Sequence, residues 1–357
     1  MIKFGGQKLD PPQIVNYPSY GFRTPHGEWR INFAGLAYQT PPINLRQKML
    51  IKMLAGMMKA DEDAIQSQNF QNRIGPFFVE ADKGYRIQIQ IGDRQFQLKK
   101  KTKRNGRFSS WLRLSDEFCR EQSELDACGR PILKYQLLVD HHRWQPIESS
   151  VRLLSPKGIS VISDIDDTIK ESTVTDRREL LRNTFIRDFR SVEGMAEVYR
   201  SWYETGADFH YVSSSPWQLL SPLKQMLTDF SLPAGTMHLR NFRLRSEFLT
   251  KLPVVRRHGK ATAIKRLIKN MPLRKFILVG DSGEKDPEIY QKICRRYPDQ
   301  IKGLFIRNVS GRPLNFERTS KLKRAVGGNF CGIFNDAEDL ERGAAELFER
   351  YGNLALN

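Results

Sequence analysis

No stretch of this chain approaches the ~20 consecutive apolar residues that a membrane-spanning helix requires. Cysteine is scarce: four residues in 357, at Cys119, Cys128, Cys294 and Cys331. None forms a CxxC pair or stands at a Cys/His metal spacing, which excludes a zinc module and a disulfide framework. They read as reduced thiols and suggest a cytoplasmic protein. Residues 1–6 contain no apolar run with a small-residue cleavage site, so no secretion signal is expected. Internal repeats, heptads and low-complexity segments are also missing. Acidic residues are in deficit: 40 Asp and Glu face 58 Lys and Arg, a net charge of +18. That imbalance favours anionic partners, whether nucleic acid, phosphoesters or a negatively charged membrane surface. No recognisable nucleic-acid reader motif accompanies it, so nucleic acid is the weakest of the three.

What is present divides near residue 150, and the length suits two domains. In residues 1–150, apolar and polar residues alternate over 85–91 and again over 94–98, with Gly92-Asp93 as the turn between them. That is a hairpin pattern. Further strands are expected over 108–114 and 132–139, and a helix over 45–59. The composition suggests a β-rich, sandwich-like domain with a leading helix. In residues 151–357 short apolar runs alternate with helical periods. Strands are expected over 159–163, 208–212, 276–279 and 303–306. Helices are expected over 193–204, 217–229, 260–269, 288–296 and 336–351. Such βαβα alternation implies a parallel sheet with helices on both faces. Ligands of such sheets bind beyond the carboxyl ends of the strands.

Those ends are unusual. The first apolar run passes into Ser163-Asp164-Ile165-Asp166-Asp167-Thr168. Three carboxylates in four residues are costly to desolvate unless a cation compensates. Asp164 and Asp166, two apart on extended chain, can face one reacting centre. One could attack phosphorus while the other serves the leaving oxygen. The alternative is a helix N-cap cluster, where Asp and Thr are common. The second run ends in Ser213-Ser214-Ser215-Pro216-Trp217. Ser215 before Pro216 suits an N-cap and first-turn pair, which leaves Ser213 to bind a phosphate oxygen near a helix start. The third run ends in Gly280-Asp281-Ser282-Gly283-Glu284-Lys285-Asp286. Asp281 is placed to bind a metal, and Asp286 to be a second ligand or its support. The Gly-Asp-Ser-Gly string is not read as a serine protease, because it lies between a buried strand and a helix. Lys260 opens a helix whose apolar face is Ala261, Ile264, Leu267 and Ile268. It could reach a phosphate, or be a solvated lysine near Arg257 and His258; Lys285 is the rival cation.

In combination and in this order, Asp164-x-Asp166-x-Thr168, Ser213, Lys260 and Gly280-Asp281-x4-Asp286 resemble the haloacid-dehalogenase (HAD) phosphohydrolase superfamily. The fuller strings around Ser163–Ile169, Tyr211–Leu219 and Gly280–Tyr290 are similar to the actin-patch-associated phosphatidate phosphatases and their bacterial relatives, over about residues 150–310. The resemblance implies a HAD-like Rossmannoid fold and a Mg²⁺-dependent phosphomonoesterase that turns phosphatidate into diacylglycerol. It assigns Asp164 as nucleophile and Asp166 as general acid, then base. Thr168 would order the loop, Ser213 with Ser214 would bind phosphate, and Lys260 would stabilise charge. Asp164, Asp281, Asp286 and the Asp166 carbonyl would form the metal site. An all-oxygen site agrees with Mg²⁺ in preference to zinc.

About fifty residues separate Asp164 from Ser213, too few for an obvious compact cap. An open site suits a lipid headgroup or phosphoprotein, unless the N-terminal domain serves as lid. A soluble phosphoester, or a non-catalytic membrane-binding module, is the alternative reading. Three basic features bear on the membrane: the run Lys99–Arg104, the group Arg240, Arg243 and Arg245, and the 45–59 helix. On that helix Lys48, Lys52 and Lys59 approach one face, while Met49, Leu50, Met53, Leu54 and Met57 form another, for core packing or for peripheral docking.

Overall fold

A computed structural model describes residues 13–139, 145–240 and 259–351. Arg243, Arg245, Arg257 and His258 lie outside the described residues. The chain forms two compact units, one of residues 1–42 and 78–153, the other of residues 43–77 and 154–357. The helical stretch 43–77 therefore groups with the second unit, not with the strands that flank it in sequence.

The first unit is a ten-stranded sheet, antiparallel in its assigned ladders. Its strands are β1 (Gln13–Asn16), β2 (Tyr20–Arg23), β3 (Trp29–Gln39), β4 (Glu80–Ala81), β5 (Ile87–Ile91), β6 (Arg94–Gln97), β7 (Arg107–Leu114), β8 (Ser123–Leu125), β9 (Pro131–Val139) and β10 (Ile147–Leu154). The 85–98 hairpin forms as expected, with Ile91 opposite Arg94. Strand β3 was not anticipated, yet it organises the sheet. It is long enough to pair β7 and then β4 along one edge, and β2 and then β1 along the other. Alternation gives the longer strands one apolar face, and Ile31, Phe33, Ile87, Ile89, Leu133, Leu137 and Val151 meet in one core. Lys99, Lys100 and Lys101 are exposed after β6.

The second unit holds a six-stranded parallel sheet in the order β13-β12-β11-β14-β15-β16. The strands are β11 (Ile159–Ser163), β12 (Asp208–Pro216), β13 (Gly235–Arg240), β14 (Lys275–Asp281), β15 (Ile301–Arg307) and β16 (Phe330–Phe334). The chain builds outward from β11 in one direction and from β14 in the other, so the order reverses between these two strands. That reversal is where an open α/β sheet leaves a crevice.

Helices α1 (Leu45–Met58), α2 (Glu62–Gln66), α3 (Gln68–Ile74) and, in the first unit, α4 (Asp116–Gln122) come before the parallel sheet. Within it follow α5 (Arg177–Phe185), α6 (Met195–Glu204), α7 (Leu220–Asp229), α8 (Gly259–Asn270), α9 (Asp286–Arg296), α10 (Phe316–Val326) and α11 (Ala337–Tyr351). They cover both faces of the sheet. Gly303 is in register with Ile277 and Gly280 with Ile306, so the two glycines face opposite ways. Gly303 is covered by Leu347 of α11 and Gly280 by Tyr290 of α9. At the amino ends of the strands the fully buried Arg274 donates to the carbonyls of Ser155, Lys157 and Ile159 and pairs with Asp208 at 2.6 Å. Among the described residues, no helix is long and apolar enough to cross a membrane.

Candidate active site

The register aligns Ser163 with Tyr211 on one side and Val279 on the other. Three strands consequently end side by side, and the residues just beyond them converge. The Asp164 amide continues the ladder by donating to the Val279 carbonyl at 2.9 Å. No helix starts at the acidic cluster. Residues 165–170 make a tight loop closed by the Ile169 and Lys170 amides on the Ile165 carbonyl, both at 3.0 Å. The N-cap alternative for these acids therefore fails, and the next helix, α5, takes its cap from Asp176.

Asp167 turns the loop in the left-handed region, at φ 53°. Its carboxylate accepts the Ser172, Thr173 and Val174 amides at 2.7, 2.8 and 2.6 Å, which offsets that backbone strain.

Asp164, Asp281 and Asp286 are all buried, and each can offer an oxygen within 4.8 Å of the others'. Gly280 makes this possible, since a Cβ there would collide with the Asp286 carboxylate. Lys260, buried at the start of α8, lies 2.9 Å from Asp164 Oδ1, pairs with Asp286, and is 3.7 Å from Glu284. Of the two candidate cations the structure brings Lys260 to Asp164; Lys285 immediately precedes α9. The Asp164–Lys260 approach is an ion contact without hydrogen-bond geometry. Both Asp164 carboxylate oxygens, Asp281 Oδ2 and Asp286 Oδ2 are buried without a hydrogen-bond donor. Thr168 Oγ1 is likewise buried and unpartnered.

One ammonium thus faces four carboxyl groups. Burial, partly opposed by Lys260, pushes Asp164 well above the usual carboxylate range. Burial and then the Asp286 and Glu284 charges push Asp281 up to about 8. The Lys260 ammonium is strengthened, because Asp164 and Asp286 outweigh its desolvation. Burying excess like charge is unfavourable, and a divalent cation held by oxygens would relieve it. Asp164, Asp281 and Asp286 are the residues able to hold one.

Removing Lys260 should expose this repulsion. Lys260→Met is expected to destabilise the metal-free protein by about 3–5 kcal/mol, the usual cost of stranding buried partners of an ion pair. Urea unfolding checks it, and Mg²⁺ should recover part of the loss.

Asp166 lies in a different setting. Its Oδ1 accepts from Lys170 Nζ at 3.0 Å and Ser172 Oγ at 2.6 Å; its Oδ2 accepts from Ser215 Oγ at 2.6 Å and Ser213 Oγ at 3.3 Å. Burial alone would raise its pKa, but Lys170 and the hydroxyls of Ser172 and Ser215 overcome that and bring it to about 2. Asp166 is therefore a carboxylate in the substrate-free protein.

Ser215 is not the helix cap expected of it: β12 runs on to Pro216, and a short 3-10 turn follows without a side-chain cap. The strand extension aims Ser215 at Asp166 instead. Ser214 donates to Glu284 at 3.1 Å. Lys170, Ser172, Ser215 and Glu284 were not selected from the sequence. The only local signal for Lys170 was a cation four residues after Asp166.

Lys170→Met should destabilise the protein most near neutrality. Asp166 has a folded pKa of about 2 against 3.8 unfolded, so its contribution is present above the unfolded value and lost as pH falls towards the folded one. The stability gap between wild type and variant should narrow through that acid window, measured by urea unfolding at successive pH values.

All these residues fall inside one recognisable segment. Residues 159–308 match the family described as "Phosphatidate phosphatase APP1, catalytic domain". This segment is similar to the APP1 catalytic-domain family. The chain is 40% identical over 158 residues to Phosphatidate phosphatase APP1 of Saccharomyces cerevisiae, covering 43% of this chain and 26% of that protein. It is 33% identical over 165 residues to an uncharacterized protein of Schizosaccharomyces pombe, covering 45% and 27%. The chain thus spans about a quarter of the length of these curated relatives. Among solved structures, the PilB minor pilin of Streptococcus sanguinis aligns with 75% of this chain and 87% of its own, at 8% identity and a TM-score of 0.29. That score is too low to carry a statement about fold.

Proposed function

We propose that the second unit is a HAD-like, Mg²⁺-dependent phosphomonoesterase, with phosphatidate as its substrate. The observation that carries this reading is the convergence of Asp164, Asp281 and Asp286, with donor-free oxygens, on Lys260 inside the APP1-type segment. The activity comes from the printed name of the yeast relative.

Asp164 is the nucleophile in this scheme. One of its oxygens bonds to phosphorus while the phosphorus–ester oxygen bond breaks, leaving an aspartyl-phosphate and the alcohol, diacylglycerol. Water then attacks the aspartyl-phosphate and releases inorganic phosphate and the free carboxylate. Lys260 neutralises charge on Asp164 and on the transferring group, which is the main demand of phosphoryl transfer. Asp164, Asp281, Asp286 and the Asp166 carbonyl would hold Mg²⁺, which would supply further neutralisation of the phosphoryl oxygens.

Asp166 delivers a proton to the departing oxygen and takes one from the attacking water. Its low proton affinity in the substrate-free state is a consequence of the donors around it. A phosphoryl group placed beside Ser213 and Ser215 competes for their hydroxyls. As those hydrogen bonds transfer to the phosphate and its negative charge arrives, Asp166 becomes more basic. Substrate binding thereby prepares the acid, by letting Asp166 take up a proton from solvent before it gives one to the departing oxygen. Ser214 holds Glu284 by a hydrogen bond, and Glu284 in turn lies 3.7 Å from Lys260.

The test is phosphate release from labelled phosphatidate in mixed micelles, with and without Mg²⁺, beside p-nitrophenyl phosphate and a phosphopeptide. Release from phosphatidate at a much higher kcat/KM than from the soluble esters is expected. Preference for a soluble or protein phosphoester would keep the chemistry and replace the substrate. No release from any of them would leave the non-catalytic reading. The free cysteines fit a cytoplasmic location for the enzyme.

A further inference from the structure

Helix α1 turns outward what a folded helix ordinarily buries. Leu45, Met49 and Met53, at i, i+4 and i+8, share one face and are 74%, 65% and 39% exposed. Ile43, just before the Asn44 cap, is 50% exposed. The inward face is already complete, with Leu54 and Met58 buried. The expectation that Met49 and Met53 share a stripe with Leu50 and Leu54 is therefore corrected: the helix has two apolar faces, and the outer one has no use in the core of its unit.

The charges on that outer face have one sign. Arg46, Lys48 and Lys52 are exposed, and Lys48 and Lys52 lie one residue from Met49 and Met53. No acidic residue occurs from Pro41 to Ala60. Apolar side chains bordered by ammonium groups, with no carboxylate among them, complement a surface of acyl chains beneath anionic phosphates.

The helix is tied to the catalytic residues. Arg178 and Arg182 of α5 donate to the Met58 carbonyl at 3.3 and 3.0 Å. Asn183 of α5 donates to the Ser172 carbonyl at 3.1 Å, and the Ser172 hydroxyl donates to Asp166. A second exposed group borders the site: Phe316, at the start of α10, is 88% exposed. The neighbouring Arg312 and Arg318 donate to carbonyls of Ser282, Gly283 and Glu284, in the loop after Asp281.

We propose that α1 docks the catalytic unit on an anionic lipid surface, with Leu45, Met49 and Met53 entering the acyl boundary and Lys48 and Lys52 on headgroup phosphates. The purpose of this contact rests on the lipid-phosphate reading above; the contact itself does not.

The full chain is tested by sedimentation with vesicles of phosphatidylcholine and phosphatidylserine, and with phosphatidylcholine alone. Leu45→Ser/Met49→Ser/Met53→Ser should weaken binding to the anionic vesicles at least about tenfold, about 1.4 kcal/mol. Lys48→Glu/Lys52→Glu should weaken it by roughly twentyfold or more at low salt and little at high salt. All five substituted side chains are exposed, so melting temperatures and p-nitrophenyl phosphate hydrolysis should match wild type. Phosphatidate hydrolysis in vesicles should fall in step with binding. Wild-type affinity in both variants, or a wild type that ignores anionic vesicles, would overturn the proposal. A wild-type dimer that the serine variant dissolves, with vesicle binding intact, would assign the face to a second copy and also overturn it. Docking as expected without phosphatidate hydrolysis would retain the surface and discard the lipid substrate.

Discussion

Asp164→Asn should reduce phosphate release by at least about a thousandfold, equivalent to about 4 kcal/mol of transition-state stabilisation. The amide has the carboxylate's shape and too little nucleophilicity to bond to phosphorus. The same substitution should not unfold the metal-free protein. Asp164 is crowded by Asp281, Asp286 and Glu284, and its neutralisation relieves that repulsion, while Lys260 keeps Asp286 as a partner. The pairing of lost turnover with a retained melting transition separates a chemical role from a structural one. Turnover near the wild-type rate by a folded Asn variant would remove Asp164 as the nucleophile.

Chelation should have a comparable effect on activity and a separate effect on stability. Stripping divalent cations is expected to abolish phosphate release, and added Mg²⁺ to restore it. Independently of turnover, Mg²⁺ should raise the melting temperature, because a ligand at one hundred times its Kd stabilises by about 2.7 kcal/mol. The gain draws on the carboxylate oxygens that lack donors, including Asp281 Oδ2 and Asp286 Oδ2. Asp281→Asn should therefore melt higher than wild type without metal and lose most of the Mg²⁺-dependent increase. An increase of wild-type size in that variant would place the cation elsewhere. Full activity in excess chelator would refute metal dependence.

These outcomes bear on how buried charge is arranged. The site holds two balances that differ in kind. Around Asp166, one carboxylate meets one ammonium and three hydroxyls, and the group is held ionised. Around Lys260, one ammonium meets several carboxyl groups and leaves a deficit of positive charge. Two aspartates two residues apart are thereby driven in opposite directions by their surroundings, which is how paired carboxylates acquire distinct roles.

Much of the second unit was legible in the order of residues. Short apolar runs separated by helical periods determined the parallel sheet, and the acids and serines that interrupt those runs marked the carboxyl ends of β11, β12 and β14. Those features are local, since they depend on periodicity and on the cost of carboxylates beside a buried strand. The expected hairpin of the first unit was legible for the same reason. Strand β3 was not, because its partners lie up to about eighty residues away and its own pattern contains Gly35 and three polar side chains.

Only the tertiary structure decided which side chains meet. It selected Lys260 at Asp164, because α8 starts beside the end of β11 whereas Lys285 precedes α9. It carried Ser215 into the site by extending β12 through Pro216, where local preference favoured a helix cap. It grouped residues 43–77 with the second unit, and it turned Met49 and Met53 outward by burying Leu54 and Met58. The sequence by itself determined where strands and carboxylates fall along the chain, since neighbours in sequence share backbone geometry. Convergence of groups more than a hundred residues apart, such as Asp164 with Asp281 and Asp286, depends on strand order and register, which long-range packing sets.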